Sequence, residues 1–207
     1  MKAFVTNYNH TPEWLSSFTD DYEIYDRSDS KEYLKDFPQE KITYEDNIGD
    51  ADYSKLTWLV ENYQSLPDVF LWTKSNLFKF ITSEEWDKVK DNQVFTPLLT
   101  QGHKTYEDER GQVCYYQDGW YFERNDSWYL NSVPSKYFRN YGEFARAFHL
   151  PNPPYLKFAP GGSYILTREK VHRYAVDFYD ELRSTLPYCE RPGEAQFCER
   201  AYGSIWG

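Results

Sequence analysis

The segment from residue 47 to residue 76 constrains the fold of this chain more than any other. Its first half carries apolar residues at helical spacing, which form one face: Tyr53, Leu56, Leu59, Val60 and Tyr63. Residues 66–68 (LPD) end that helix, and residues 69–72 (VFLW) then form a short, continuous apolar run. This run is typical of a strand that is covered on both faces, so the segment predicts helices on either side of a sheet.

The remaining pattern extends this unit to a whole domain. Short strands are predicted at residues 3–6, 21–25 and 41–44, alternating with helical or polar segments as in a doubly wound parallel sheet. Residues 112–116 and 120–123 predict a β-hairpin around Asp118-Gly119. The predicted fold class is therefore α/β: a mostly parallel sheet with helices on both faces and a small β-hairpin insertion. One domain, residues 1–207, is expected.

Several helix boundaries follow from local signals. Thr11 before Pro12, Asp50 or Asp52, and Ser83 are predicted to cap helix starts. Thr167 is predicted to cap one long helix with an apolar face, formed by Val171, Tyr174, Phe178, Leu182 and Leu186. Residues 193–206 predict a last helix against the sheet.

Charge and cysteine content limit the classes of function. No run of 18 apolar residues occurs and the N-terminus lacks a signal core, so we expect a cytoplasmic protein without a membrane span. Three cysteines are too few and too odd for a disulfide framework, although a Cys189–Cys198 bridge stays open. No cysteine lies at zinc-ligand spacing with histidine.

The net charge of −10 argues against general nucleic-acid binding, but the charges are unevenly distributed. Residues 135–174 hold seven basic and two acidic residues; the basic ones are Lys136, Arg139, Arg146, Lys157, Arg168, Lys170 and Arg173. Such a region either presents a basic face to a polyanion or balances acidic neighbours within the fold.

The order of these parts resembles that of GT-A-type glycosyltransferases. The resemblance rests on the loop after the first strand (residues 5–9), Tyr25-Asp26 at the end of the second, and an Asn-x-Gly turn at residues 47–49. Residues 59–72, residues 162–169 and the ending with Glu199-Arg200 and Ile205-Trp206 are similar to a small group of bacterial, fungal and phage glycosyltransferase-like proteins. The likeness covers most of the chain through short motifs.

This resemblance implies a nucleotide-sugar donor, a UDP- or GDP-sugar, held by residues 1–76, with residues 77–207 on the acceptor side. The implied donor contacts are Asn7, Asn9, Asp26, Asn47, Gly49, Lys74 and Asn76. The family's metal-binding Asp-x-Asp is missing at residues 72–76, so no metal ligand is predicted and metal dependence stays open. Lys74 either replaces the metal as a fixed cation or is an ordinary solvated lysine. Asp50-Ala51-Asp52 is an Asp-x-Asp in the wrong connection, and we interpret it as helix caps.

The acceptor side carries the predicted catalytic carboxylates. Glu199 and Glu194 are the candidate bases, with Lys74 as the third catalytic residue. Glu199-Arg200 is alternatively a surface or structural ion pair. Residues 160–163 predict a tight glycine turn, in which Gly161, Gly162 and Ser163 either leave space for the acceptor or merely connect two strands. Arg168 and Lys170, at a helix start, complete the predicted acceptor contacts and could meet phosphate oxygens. Aromatic residues between positions 115 and 129 either stack on a sugar or base, or pack the core.

The leading hypothesis is a glycosyltransferase that moves a sugar from a nucleotide-sugar to an acceptor hydroxyl. A hydroxymethylated base in phage DNA, bound through residues 135–174, is one acceptor; a polysaccharide or lipid-linked acceptor is the other. A non-catalytic nucleotide- or carbohydrate-binding module is the hypothesis from a second class, because the metal motif is missing. A metal-dependent hydrolase or nuclease is a weaker third, since the acidic residues form no known ligand pattern.

Overall fold

The computed structural model describes residues 1–100, 102 and 105–207. The strands in this part of the chain are β1 (Lys2–Asn7), β2 (Tyr22–Asp26), β3 (Ile42–Tyr44), β4 (Val69–Lys74), β5 (Thr96–Pro97), β6 (Tyr106–Asp108), β7 (Gly111–Gln117), β8 (Trp120–Arg124), β9 (Tyr155–Phe158) and β10 (Tyr164–Thr167). The α-helices are α1 (Leu15–Phe18), α2 (Asp50–Glu61), α3 (Ser83–Val89), α4 (Tyr141–Ala147), α5 (Arg168–Val171), α6 (Val176–Ser184) and α7 (Gly193–Trp206).

The first sheet has six strands in the order β3-β2-β1-β4-β10-β5. Strands β3, β2, β1 and β4 are parallel, with Val5 opposite both Ile24 and Thr73. Strand β10 runs antiparallel to β4, with Tyr164 opposite Trp72, and β5 runs antiparallel to β10. The carboxyl ends of β1, β2 and β4 therefore share one edge. Strands β5 and β10, which follow residue 76 in the chain, complete the sheet that the first 76 residues begin.

A second sheet holds four antiparallel strands in the order β6-β7-β8-β9. The predicted hairpin, β7–β8, lies at its centre, and Asp118 and Gly119 form its turn with φ of 49° and 81°. The predicted fold class is wrong, because the main sheet is mixed and the hairpin belongs to this separate sheet rather than to an insertion. Strand β6 has only three residues and pairs with β7 directly after it, whereas β9 pairs with β8 from a distant segment, and a local pattern carries no information on such long-range pairing.

Alternate residues of the first sheet enter two apolar layers, as the two-residue period of a strand requires. Phe4 points to the layer under α2, where its ring stacks on Trp58 with centroids 4.7 Å apart. Val5 points to the opposite layer, where Leu77 and Trp86 pack. Full burial of a side chain such as Phe4 contributes about 1.5–3 kcal/mol.

The predicted caps of the helices before residue 90 are wrong, because other contacts satisfy the groups concerned. The Thr11 hydroxyl donates to the Tyr33 carbonyl, and α1 begins later, at Leu15. Helix α2 is preceded by Gly49 at φ 76° and has no side-chain cap. Thr82 rather than Ser83 caps α3, accepting from the N–H of Glu85 at 3.3 Å.

The long helix predicted after Thr167 is also wrong in its length. Thr167 does cap a helix, accepting from the N–H of Lys170 at 3.3 Å, but α5 ends at Val171. Ala175 adopts an extended conformation before α6, so the apolar spacing spans two helices joined by a turn. The last helix, α7, is confirmed. Cys189 is exposed and Cys198 is buried, and they are not bonded to each other. Among the described residues, no helix is long and apolar enough to cross a membrane, in agreement with the prediction.

Candidate functional site

Two adjoining cavities lie at the carboxyl ends of the parallel strands. The cationic cavity, of about 400 Å³, is lined by polar and charged residues with few apolar ones: Thr6, Tyr8, Arg27, Asn47, Asp50, Ala51, Lys74, Ser75, Asn76, Glu190 and Arg191. The aromatic cavity, of about 410 Å³, is lined by residues of the second sheet, α7 and nearby loops, among them Tyr106, Tyr121, Trp128, Tyr129 and Phe158. Asp50, Lys74 and Arg191 line both cavities.

Strand ends and one helix start position the shared residues. Lys74 is the last residue of β4, and Arg27 follows the end of β2. The N–H groups of Gly49 and Asp50 donate to the carbonyls of Cys189 and Glu190, each at 2.8 Å. These bonds satisfy backbone N–H groups at the start of α2 that a side-chain cap would otherwise satisfy. They also tie the loop after α6 to this helix, which places Arg191 beside Asp50.

Opposite charges keep the shared residues ionised. Burial lowers the pKa of Lys74, but the nearby carboxylates of Asp50 and Glu199 outweigh it and raise the pKa above its ordinary value. Burial raises the pKa of Asp50, yet Lys74, the Ala51 N–H and Arg27 outweigh it and lower the pKa. Lys74 is therefore a cation and Asp50 an anion at neutral pH.

The cationic cavity has buried polar groups that lack partners within the described part of the chain. Arg27 is 6% exposed and donates from Nη1 to Asn47 Oδ1 at 3.2 Å, but its Nε has no partner there. The Thr6 hydroxyl, also buried beside the cavity, has none either. Such groups are costly to bury unsatisfied, so they favour a polar ligand or water in this cavity.

The aromatic cavity has exposed rings at its rim and an ion-pair network at its floor. Trp128 is 65% exposed, Tyr106 51% and Tyr129 46%. Arg200 is buried and donates from Nε and Nη2 to Glu123 Oε2 at 3.0 and 2.9 Å. Its Nη1 donates to Glu199, and its guanidinium lies 4.4 Å from the ring centroid of Phe158. The floor is therefore rigid and charged.

A buried lysine holds the glycine turn that forms one wall of the aromatic cavity. Lys55 is fully buried, and its Nζ donates to the carbonyls of Gly161 and Gly162. Burial lowers the pKa of Lys55 to about 7. Both glycines have positive φ, 85° and 60°, and the Gly161 N–H donates to Glu199 at 2.6 Å. The sequence-predicted turn is thus confirmed and is anchored from both sides.

Four of the predicted donor contacts lie in the wall of the cationic cavity or directly next to it. Asn47, Lys74 and Asn76 line the cationic cavity. Gly49 is buried next to Asp50 and a Cβ there would lie 2.4 Å from that of Tyr53, so only glycine fits.

The other predicted donor residues lie behind or beside the cavity rather than in its wall. Asn7 donates to Asp26 at 2.9 Å, and both side chains are buried. Asn9 is bonded to Asp29 at 2.7 Å and lines neither cavity.

The two predicted carboxylate bases have different environments. Glu199 lines the aromatic cavity. Glu194 lines neither cavity, and its Oε1 accepts from Ser135 Oγ and the N–H groups of Lys136 and Tyr137 at 2.6, 2.8 and 2.7 Å. Burial raises the pKa of Glu194, but the hydrogen bonds from Ser135 and Tyr188 outweigh it and lower the pKa. Glu194 therefore holds the loop before α4 rather than facing a ligand.

The predicted acceptor contacts are split between opposite edges of the sheet. Gly161 lines the aromatic cavity, and Gly162 lies beside it in the turn. Ser163 is buried and accepts from the Thr73 hydroxyl at 2.9 Å. Arg168 and Lys170 follow β10 at its far end, where Arg168 pairs with Asp68 at 2.9 Å. None of the seven basic residues of the 135–174 region lines either cavity.

Sequence reasoning missed Arg27, Asp50 and Arg191. The Asp-x-Asp at residues 50–52 could have identified Asp50 as a site residue, but both carboxylates were interpreted as helix caps. Asp52 is neither a cap nor a cavity residue: it is buried and accepts from the Tyr202 hydroxyl at 2.7 Å. Nothing in the sequence marks Arg191, because its position depends on backbone bonds between distant segments.

Neither a metal-ligand group within the described ranges nor a known relative adds to this picture of the site. Among the described residues, no group of three or more His, Cys, Asp and Glu side chains is arranged to hold a metal ion. No protein-family model, no curated protein and no solved structure matches this chain.

Proposed function

We propose that this protein is a nucleotide-sugar-dependent glycosyltransferase that binds the donor diphosphate in the cationic cavity. One observation carries the proposal: Arg27, Lys74 and Arg191 converge on a cavity at the carboxyl ends of parallel strands. Ligands of α/β sheets bind at this edge. A diphosphate carries the charge and the acceptor oxygens that such a group of cations stabilises.

The cationic cavity also suits the rest of a nucleotide. Arg27 and Arg191 present planar guanidinium groups, which bind phosphate oxygens in pairs, whereas Lys74 acts as a single positive charge. Tyr8 is 45% exposed and lines the same cavity, so its ring is available to stack on a nucleobase. Asn47 and Asn76 offer amide groups for its polar edges.

Asp50 lies where the two cavities meet and is the carboxylate we assign as the general base. In a single displacement, the acceptor oxygen forms a bond to the anomeric carbon while the bond from that carbon to the diphosphate oxygen breaks. The departing diphosphate keeps the electron pair, and the hydroxyl proton goes to Asp50. Lys74 and Arg191 stabilise the charge that develops on the leaving oxygen.

The low pKa of Asp50 in the free protein is compatible with this role. The pKa is lowered by Lys74, Arg27 and Arg191, the same cations that a diphosphate would neutralise. Donor binding therefore raises the pKa of Asp50 and makes it a stronger base at the moment when a base is needed.

A non-catalytic nucleotide-binding module is the second candidate, and the same pKa favours it. If the pKa of Asp50 stays low in the complex, the site binds nucleotides but has a weak base. Glu199 does not replace it, because both of its carboxylate oxygens accept hydrogen bonds from Gly161 and Arg200.

Calorimetric titration with UDP and GDP, followed by measurement of nucleotide diphosphate release from UDP- and GDP-sugars, tests the proposal. Each assay is run with Mn²⁺, with Mg²⁺ and with a chelator. We expect a dissociation constant in the micromolar range and slow release of free diphosphate by hydrolysis of one donor. If a nucleotide binds but no donor is turned over with any acceptor tested, the non-catalytic binding module is favoured. Absence of binding to every nucleotide would overturn both.

A further inference from the structure

We infer that the aromatic cavity binds a neutral pyranose ring, so that the acceptor is a carbohydrate rather than DNA. The assignment of this sugar as the acceptor rests on the proposed function. The binding of a pyranose does not, because it depends only on the residues that form the cavity.

The rim of the cavity offers flat aromatic faces to solvent. Trp128 and Tyr129 are both largely exposed, and their rings are 5.7 Å apart and nearly perpendicular. Tyr106 is a third exposed ring in the lining of the same cavity. Exposed rings of this size are unfavourable in water unless a ligand covers them. The C–H face of a pyranose carries partial positive charge and matches the negative face of an aromatic ring.

The floor of the cavity supplies the polar groups that sugar hydroxyls need. Arg200 and the Gly161 N–H fix the carboxylate of Glu199, and each of its oxygens keeps a second lone pair as a pre-oriented acceptor. Glu123 holds Arg200 in place and is itself satisfied by Arg200 and Ser127. Gln196 accepts from Arg200 through its Oε1 at 3.1 Å, which leaves its amide NH₂ to donate. Alternating donors and acceptors below aromatic faces suit a ring that is apolar on its faces and hydroxylated at its edges.

The charges of the aromatic cavity disfavour a nucleic acid. The cavity lining balances the cations Lys74, Arg191 and Arg200 with the carboxylates Asp50, Glu123 and Glu199, so it offers no net positive charge to a phosphodiester. The basic residues at positions 135–174 lie outside the cavity, so they give no path for DNA into it. This lack of net positive charge applies equally to single-stranded and duplex DNA.

The location of the cavity gives the sugar a place in the proposed reaction. Asp50 lines both the aromatic and the cationic cavity, so a pyranose bound in the aromatic cavity would present a hydroxyl to the general base. A sugar in this position would be the nucleophile in the displacement described above, and the product would be a disaccharide unit or a longer glycan.

Ligand-observed NMR and tryptophan fluorescence, with the full chain and no donor, test the inference. The probes are methyl α- and β-glucopyranoside and galactopyranoside, maltotriose, cellotriose, sorbitol, and a 12-nucleotide DNA in single- and double-stranded form. We expect at least one pyranoside or trisaccharide to bind, and sorbitol and both DNAs not to bind. The trisaccharides distinguish a glycan from a small glycoside as the source of the ring.

Trp128→Ala should weaken pyranose binding by about tenfold or more, and Trp128→Phe by less, because a ring is kept. Both should leave nucleotide binding unchanged. Tyr33→Ala is the matched control, since Tyr33 is an exposed aromatic outside both cavities. Trp128 is 65% exposed, so its removal does not disturb the core.

The outcomes separate this inference from the proposed function. If no sugar binds, if Trp128→Ala leaves sugar binding unchanged, or if DNA binds in a Trp128-dependent way, the inference is overturned, whatever the donor assays give. If sugars bind with the expected dependence on Trp128 but no nucleotide binds, the carbohydrate site stands and the glycosyltransferase proposal fails.

Discussion

The cationic and aromatic cavities have nearly equal volumes but are built in different ways. The cationic cavity is formed by the ends of β1, β2 and β4, the start of α2 and the loop before α7. Lys74 ends β4, Asp50 begins α2 and Arg27 directly follows β2, while Arg191 lies in the loop that is bonded to the start of α2. The aromatic cavity takes its exposed rings from the loop after β8 and from β6, and its floor from α7.

This difference shows which part of the fold carries the charged groups and which part carries the aromatic rings that would contact a ligand. Charged groups at strand ends are held by the sheet ladder and bind a ligand with strict geometry, such as a diphosphate. Rings on loops adapt their position, and their contribution depends on contact area rather than on direction. The two cavities should therefore respond independently to substitution, except at the residues that they share.

The largest expected effect is that of Asp50→Asn, a change in a shared residue. We expect turnover to fall at least about 100-fold, because the base is lost. Binding of UDP or GDP should stay equal or become tighter, since a negative charge next to the phosphates is removed. Steady-state kinetics and calorimetry measure the two effects separately. Asp46→Asn, an exposed carboxylate outside both cavities, is the control. Parallel loss of binding and turnover would contradict the role of Asp50 as a base.

Lys74→Met should weaken nucleotide diphosphate binding by roughly ten- to a hundredfold, the effect of losing one hydrogen bond to a charged group. Although Lys74 also lines the aromatic cavity, sugar binding there should change much less, because a neutral ring depends on Trp128 and Tyr129 rather than on a cation. Calorimetry with each ligand gives the comparison, with Lys79→Met as an exposed-lysine control. Equal losses for both ligands would mean that the cavities act as one site.

Substitution of the two glutamates of α7 should affect different quantities: mainly stability for Glu194 and mainly sugar binding for Glu199. Glu194→Gln is expected to lower the free energy of unfolding by about 2 kcal/mol, because the buried acceptor of several hydrogen bonds is altered. Glu199→Gln should cost less stability and should reduce sugar binding. Urea denaturation and sugar titration of both variants test this. A stable Glu194→Gln variant without activity would restore Glu194 as a catalytic residue.

Lys55 should titrate far below an ordinary lysine. Its pKa in the folded protein is about 7, against about 10.4 in the unfolded chain. Between these values the unfolded state holds more protons, so the contribution of Lys55 to the free energy of unfolding increases with pH and is lost as pH falls to the folded pKa.

NMR of ¹³Cε-labelled lysine locates this midpoint directly, and Lys55→Met identifies the signal. Denaturation at several pH values between 7 and 9.5 should show a smaller rise in stability for Lys55→Met than for the wild type. A titration midpoint above 10 would show that the ammonium group is better solvated than the fold indicates.

The smallest effect is expected at the far edge of the sheet. Arg168→Gln and Lys170→Gln should change both nucleotide and sugar binding by less than about twofold, because neither residue lines a cavity. The same titrations measure these variants beside Lys74→Met. A tenfold loss of DNA or sugar affinity in either variant would return this region to the acceptor site.

The parts of the molecule that could be predicted from sequence are those that depend on neighbouring residues. The apolar run at residues 69–72 placed β4 and hence Lys74 at a strand end, and Asp118-Gly119 placed the hairpin turn. The second sheet was not predicted: β6 is a run of only three residues, and Phe158 pairs with the central hairpin from a distant part of the chain. The role of Glu194 depends on a loop almost 60 residues earlier in the chain, with Ser135 at a separation of 59.

The contact between α7 and β9 has a mechanical consequence. A Cβ at Gly203 would lie 1.7 Å from the carbonyl oxygen of Lys157, so helix and strand meet backbone to backbone. The same helix packs on α2, and β9 is an edge strand of the other sheet. The two sheets are thus joined by a helix–strand contact that requires glycine at position 203, and the ring contact between Trp120 and Tyr164 adds a second link between them. A larger residue at position 203 would therefore force α7 away from β9, and would separate the parts of the aromatic cavity that each contributes.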